Sequence, residues 1–183
     1  RRLERSRHLP VLAFDRVTGG HSSHGGSRHI SGQDYVVESF GVDDATGLID
    51  YAAVHAHARA FRPRMIVAGS SAYPRRIDFR KLYEIATDVG ALLFADIAHV
   101  AGLVIAGFHP NPTQFSDVVT TSTHKTFCGP RTGGLILSKA RYAAAIDAAL
   151  APGLQAAPGA HIIAARAVLF DRVRRPEFRD LMS

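Results

Sequence analysis

A single cysteine, Cys128, is all the thiol chemistry the chain holds. No internal disulfide can form, so a small fold stapled by disulfides is excluded and nothing in the covalent chemistry calls for an oxidising compartment. Long apolar runs are also missing: none approaches the roughly 18 to 20 residues that span a bilayer. The opening RRLERSRHLP is basic and is not followed by an apolar segment of secretory-signal length. Membrane insertion and export are therefore not expected, and a cytoplasmic setting is. Acidic side chains are in the minority, Asp+Glu 16 against Lys+Arg 22, for a net charge of +6. The excess gathers at the ends, in Arg1, Arg2, Arg5 and Arg7 and again from Arg172 to Arg179. Such end clusters are ordinarily solvated or face a partner, and no nucleic-acid function is expected from them. Internal repeats and low-complexity tracts are absent. What remains is a chain of 183 residues, 46% hydrophobic, enough for one sizeable core.

Short apolar runs alternate with helix-like segments, the pattern of βαβ units that build a mostly parallel sheet flanked by helices, so the fold class is α/β. Leu9 to Phe14 reads as a strand that ends at Asp15 and enters the glycine-rich loop GGHSSHGGSRH. Asp50 caps a helix with Tyr51, Val54, Ala58 and Phe61 on its apolar face, ending near Pro63; His55 and His57 flank that face and read as solvated. Met65 to Ala72 reads as a second strand. Asp78 opens a helix carrying Leu82, Ile85, Ala86 and Val89, closed by Gly90, and ALLFADIAH is a third strand, parallel to the second through a right-handed crossover. Asp117 to Thr123 makes a fourth, running into His124 and Lys125. GGLILS returns as a fifth, antiparallel across GPRTGG. Two closing helices, near Tyr142 to Leu150 and His161 to Val173, flank the loop APGLQAAPG.

Asp96 falls at the carboxyl end of its strand, the edge where open α/β sheets bind ligands, and Lys125 lies at another strand end. A carboxylate and an amine so placed suit pyridoxal phosphate, whose aldehyde needs a lysine for a Schiff base and whose ring nitrogen needs an acid partner to stay protonated. His99, three residues after Asp96, is within reach of the ring's phenolic oxygen. On the residues alone two plainer readings stand beside this one: a strand-end Asp that caps a helix, and a solvated lysine after a threonine run. His21, His24 and His29 lie within nine residues, as zinc ligands can, but the loose spacing on a flexible loop presents no rigid set, and no metal site is expected.

The segments GGHSSHG at Gly19 to Gly25, SGQDY at Ser31 to Tyr35, DATGLIDY at Asp44 to Tyr51, SAY at Ser71 to Tyr73, ADIAHVAGLVIAG at Ala95 to Gly107, HPNP at His109 to Pro112 and TTSTHKTFCGPR at Thr120 to Arg131 follow one another in the order of a known family. In these the chain resembles the serine hydroxymethyltransferases, from about Leu9 to Leu181. The resemblance implies the large domain of a fold-type I pyridoxal phosphate enzyme, dimer-based, that interconverts serine and glycine and passes a one-carbon unit to tetrahydrofolate as co-substrate. Residue by residue, it implies that Lys125 forms the Schiff base, Asp96 partners the pyridine nitrogen and His99 contacts the phenolic oxygen. It also implies that His21 stacks on the cofactor ring, Ser71 lies beside the cofactor, His124 shapes the substrate pocket and Gly20 belongs to the folate-contacting loop. Arg131 matches an arginine near the lysine loop, where a turn-stabilising role is equally open.

The chain also departs from the family. By the resemblance, residues 1–183 are expected to form one partial cofactor-binding domain, without the family's N-terminal segment and C-terminal small domain, where in the family an arginine clamps the substrate carboxylate. Ala156 and Ala157 stand where the family has a Gly-Gly pair facing a neighbouring subunit's phosphate, and Arg16 where it usually has an apolar residue against folate. GPRTGG is one residue longer than the family's turn. Two expectations from different classes result: a pyridoxal phosphate enzyme, whether hydroxymethyltransferase or folate-independent aldolase, and a catalytically inactive relative acting as a binding or subunit-interaction module.

Overall fold

The computed structural model describes residues 9–183; the arginines of the amino-terminal basic cluster lie outside them. The chain divides into two compact units, residues 1–96 and 97–183, each described by itself.

In the first unit four strands, β1 (Pro10–Phe14), β2 (Val36–Phe40), β3 (Met65–Gly69) and β4 (Leu92–Asp96), pair in parallel in the order β2-β1-β3-β4. Leu12, Ala13, Phe14, Ile66, Ala68, Leu93 and Ala95 are buried. Near-continuous apolar strands of this kind belong to parallel sheets covered on both faces. The connections are α1 (Ile30–Asp34), α2 (Tyr51–Phe61) and α3 (Phe79–Val89). Asp50 caps α2 as expected, its Oδ1 accepting from Ala52 N and Ala53 N, and Val54 and Ala58 are buried. Asp78 Oδ1 accepts from Lys81 N to open α3, which buries Phe79, Leu82, Ile85 and Ala86 and closes at Gly90, φ 70°. The phenolic oxygen of Tyr51 accepts from Asp78 N at 2.7 Å, tying the start of α2 to that of α3. Burial pushes this phenol up to about 12.

In the second unit β5 (Val118–Ser122) and β6 (Gly134–Ser138) pair antiparallel, as the sequence implied. The helices are α4 (Ala101–Ile105), α5 (Ala140–Ala148), α6 (Ala160–Arg172) and α7 (Pro176–Met182). Asp117, buried just before β5, accepts from Arg141 at 2.7 Å and lies 3.1 Å from Lys139 Nζ, so its charge is compensated by two cations at the start of α5.

Several sequence expectations need correction. Val36–Phe40 is a strand that the hydrophobic pattern does not reveal, because it lies at one end of its sheet with only Phe40 buried. The strand expected to run to Ala72 ends at Gly69, where the chain turns so that Ser71 N and Ala72 N both donate to Gly19 O. Pro176–Met182 adds a third closing helix, held by buried Phe178. His55 and His57 are not merely solvated. His55 Nε2 lies 2.9 Å from Asp88 Oδ2 on α3, and His57 bonds Glu38 on β2, partners distant in sequence.

Candidate active site

Order β2-β1-β3-β4 reverses direction between β1 and β3, and open α/β sheets bind ligands at the carboxyl ends flanking such a switch point. The first unit's candidate residues gather there. Below the site, Phe14 at the end of β1 stacks on Phe40 and meets Tyr73 edge-on, both with ring centroids 5.4 Å apart, a firm base for the loop that follows. Asp15 Oδ2 accepts from Val17 N and Thr18 N and turns the chain sharply. Gly20 then folds back, its N–H donating to Asp15 O at 2.7 Å. A Cβ at Gly20 would come 2.2 Å from Phe14 O, so the close approach that requires glycine is that of the chain's own carbonyls.

The histidines of this loop take separate partners. His21 Nδ1 accepts from Ser23 N at 3.1 Å and lies 2.6 Å from Ser23 Oγ, while His29 Nδ1 accepts from Ser31 N and caps α1. His24 is buried, and its Nε2 lies 3.0 Å from Asp96 Oδ2 at the end of β4, 72 residues away. Among the described residues no group of three His, Cys, Asp or Glu is placed to hold a metal ion. Asp96 pairs in register with Gly69 of β3, where a Cβ would fall 2.5 Å from Asp96 O and 2.8 Å from Asp96 Cβ. Glycine at 69 thus makes room for the carboxylate-bearing residue. Ser71 Oγ is buried without a hydrogen-bond partner, an orphaned donor at the switch point that a ligand oxygen would satisfy.

In the second unit Lys125 follows β5 in a tightly cinched turn. Thr123, fully buried, donates from Oγ1 to Pro130 O at 2.7 Å and accepts at its carbonyl from Gly129 N at 2.6 Å. Cys128 N donates to Lys125 O, and the turn passes through left-handed backbone at Cys128, φ 61°, and Thr132, φ 65°. Lys125 Nζ lies 3.0 Å from His99 Nε2. His99 is fastened in turn, since its carbonyl accepts from Thr126 Oγ1, which itself accepts from Gly102 N at the start of α4. Gly102 is required here: a Cβ would meet Thr126 O at 2.2 Å. An imidazole nitrogen this close gives a lysine ammonium somewhere to deliver a proton, which an amine must do before it can attack a carbonyl carbon.

The structure therefore joins Lys125 with His99, and the His21 to Ser71 segment with Asp96 through His24 and Gly19. It leaves His124, Arg16, Arg131, Ala156 and Ala157 exposed. Sequence reasoning missed His24, Gly69 and Gly102 as site residues. The two glycines show only as small residues in apolar stretches, and His24 only as one of three loop histidines. In the first unit the orphaned Ser71 Oγ and the strand-end carboxylate of Asp96, and in the second unit the lysine–imidazole pair, are each of a kind that pyridoxal phosphate can use.

Comparison with known proteins agrees. The family model for serine hydroxymethyltransferase matches residues 5–183. The serine hydroxymethyltransferases of Lacticaseibacillus casei (strain BL23) and of Lacticaseibacillus paracasei (strain ATCC 334) are each 52% identical to this chain over 169 residues, 92% of the chain and 41% of the relative. The chain thus spans about two fifths of the length of these curated relatives. On a family match over nearly its whole length, with an α/β fold that agrees with it, the chain belongs to the serine hydroxymethyltransferase family.

Proposed function

We propose that this chain supplies the cofactor-binding part of an enzyme that interconverts serine and glycine with transfer of a one-carbon unit to tetrahydrofolate. The observation that carries this is Lys125 Nζ set 3.0 Å from His99 Nε2 in a cinched turn after β5. Lys125 holds the aldehyde carbon of pyridoxal phosphate, and His99 receives the lysine's proton and contacts the phenolic oxygen. Asp96 partners the ring nitrogen, His21 lies on the ring face and Ser71 donates its otherwise unpartnered hydroxyl. Bound there, pyridoxal phosphate supplies an electron-accepting ring for the bond broken at the amino acid's α-carbon. His124 borders the substrate, and Gly20 belongs to the loop that meets folate. Residues 1–183 act as a single cofactor-binding domain in this reading. The partners are serine or glycine, folate and a second copy of the chain, in a cytoplasmic setting; among the described residues no helix is long and apolar enough to cross a membrane.

The test is to incubate the chain with pyridoxal phosphate, reduce with borohydride and map the modified peptide by mass spectrometry. Labelling at Lys125, lost in Lys125→Ala, supports the reading; assays with serine in the presence and absence of tetrahydrofolate then separate transfer from folate-independent aldol cleavage. Scattered labelling of surface lysines, or none, favours the binding-module reading, to which the methyl groups of exposed Ala156 and Ala157 already point.

A further inference from the structure

We propose that Arg166 on α6 is a positioning residue for Lys125, holding from behind the turn that presents the lysine's amine. That turn carries two glycines, Gly129 and Gly133, and α6 closes on both. A Cβ at Gly129 would fall 2.3 Å from Leu169 Cδ2. One at Gly133 would fall 1.5 Å from Arg166 Nη2, with Cζ and Nε of the same side chain next, at 2.5 and 3.0 Å. Arg166 and Leu169 stand three residues apart on α6 and so share one face of it. That face lays a buried leucine on one glycine and a planar guanidinium on the other. Bare backbone at both positions is what lets the helix come so near.

The guanidinium is seated by the turn rather than by water. Its Nη2 donates to Thr132 O at 3.4 Å, and its Nε is buried without a hydrogen-bond partner. A long cationic side chain ordinarily keeps its donors in water, and a dry one costs free energy that close packing must offset. From this seat the path to the lysine is short. Gly133 O, beside the guanidinium, accepts from Thr123 N at 3.2 Å and from Thr123 Oγ1 at 3.3 Å. Gly129 N, on the Leu169 side, donates to Thr123 O at 2.6 Å. Fully buried Thr123 is thus gripped by the two glycines that α6 backs, and Lys125 follows two residues later. A shift of Arg166 is passed to the backbone just before Lys125, whose amine must keep its place 3.0 Å from His99 Nε2. A displacement of about 1 Å at a reacting group is enough to cost much of its effectiveness.

The role of Arg166 rests on the one proposed for Lys125, and a single experiment separates the two. The full chain and its Arg166→Ala, Gly133→Ala and doubly substituted variants are treated with limiting pyridoxal phosphate and borohydride, and the initial rate of labelling at Lys125 is read against Lys81 and Lys139, the chain's other lysines. Hydrogen exchange at Thr123 N and Gly129 N is followed without cofactor, and circular dichroism checks the fold. Gly133→Ala adds one methyl whose three nearest atoms all belong to Arg166, the far end of a flexible side chain, so it displaces the guanidinium while sparing the rest of the turn. Each single variant should slow labelling at Lys125 about tenfold, leave Lys81 and Lys139 unchanged and quicken exchange of the two amides. The double variant should be no slower than either single one, because both remove the same contact. Loss of stability alone would not alter the ratio among lysines in a folded chain. If folded Arg166→Ala labels Lys125 within about twofold of the parent, or if the two single effects multiply in the double variant, the positioning role is overturned and Lys125 keeps its own. If Arg166→Ala does not fold, Gly133→Ala decides by the same criterion. If the parent chain does not favour Lys125 over Lys81 and Lys139, the reading of Lys125 fails and the role of Arg166 with it.

Discussion

Thr132, the extra residue of the GPRTGG turn, is a β-branched side chain held at φ 65°, where only glycine sits without strain. It is exposed, so its side chain offers little packing in return. Thr132→Gly is expected to raise the unfolding free energy by about 0.5–1 kcal/mol, the strain relieved less the entropy that glycine adds to the unfolded chain; urea titration measures it. Gly69→Ala acts in the opposite direction. Its Cβ would sit 2.5 Å from Asp96 O, so strand β4 must shift, at a cost of about 1–3 kcal/mol. The same shift moves Asp96, and cofactor affinity should fall along with stability. A residue with no chemistry of its own thereby governs one that has it.

At the scale of elements, α2 and α3 are joined by a charged cluster as well as by the Tyr51 contact. Asp88 on α3 accepts from Arg59 Nε at 2.9 Å and lies at the same distance from His55 Nε2, both on α2. These partners, Arg59 first, hold its carboxyl at about 2, below the ordinary 3.8. Because the folded value is the lower one, the unfolded chain binds more protons between the two. The contribution of Asp88 to stability is therefore complete above about pH 4 and is lost as pH falls through about 2. Denaturant midpoints measured across that window should fall less steeply in Asp88→Asn than in the parent chain. Removing the cap of α2 with Asp50→Ala should cost about 1 kcal/mol at neutral pH, since two amides lose their shared acceptor; thermal unfolding followed by circular dichroism reads that loss.

On the scale of the whole molecule, the second unit carries large apolar side chains in water: Leu154 is 82% exposed, Leu181 66% and Val168 61%. Exposed apolar surface of this kind favours association. The proposed self-association predicts species heavier than the 19.7 kDa chain in sedimentation velocity, growing with concentration and reduced in Val168→Asp. Much of the architecture was legible in the residues. The apolar runs at Pro10–Phe14, Met65–Gly69, Leu92–Asp96 and Val118–Ser122 marked their strands because burial demands such side chains, and Asp50, Asp78 and Gly90 marked helix ends because capping is a local matter. Asp96, His99 and Lys125 were named for their chemistry and their places at or just after strand ends, and Ser71 from the family resemblance. Edge strand Val36–Phe40 was not legible, since an edge strand buries too little to show a pattern. Nor were the hydrogen bonds of His55 and His57, whose partners lie 33 and 19 residues away. His24 is the sharpest case. Nothing near it in the chain distinguishes it from His21 or His29, and its contact with Asp96 forms only when a parallel sheet brings the loop after β1 to the end of β4. Composition, periodicity and capping act between near neighbours, so the sequence by itself determined the class, most of the elements and the candidate residues. Which imidazole meets which carboxylate, and which glycine must stay bare beneath it, depends on contacts between distant segments, and only the tertiary structure decided those.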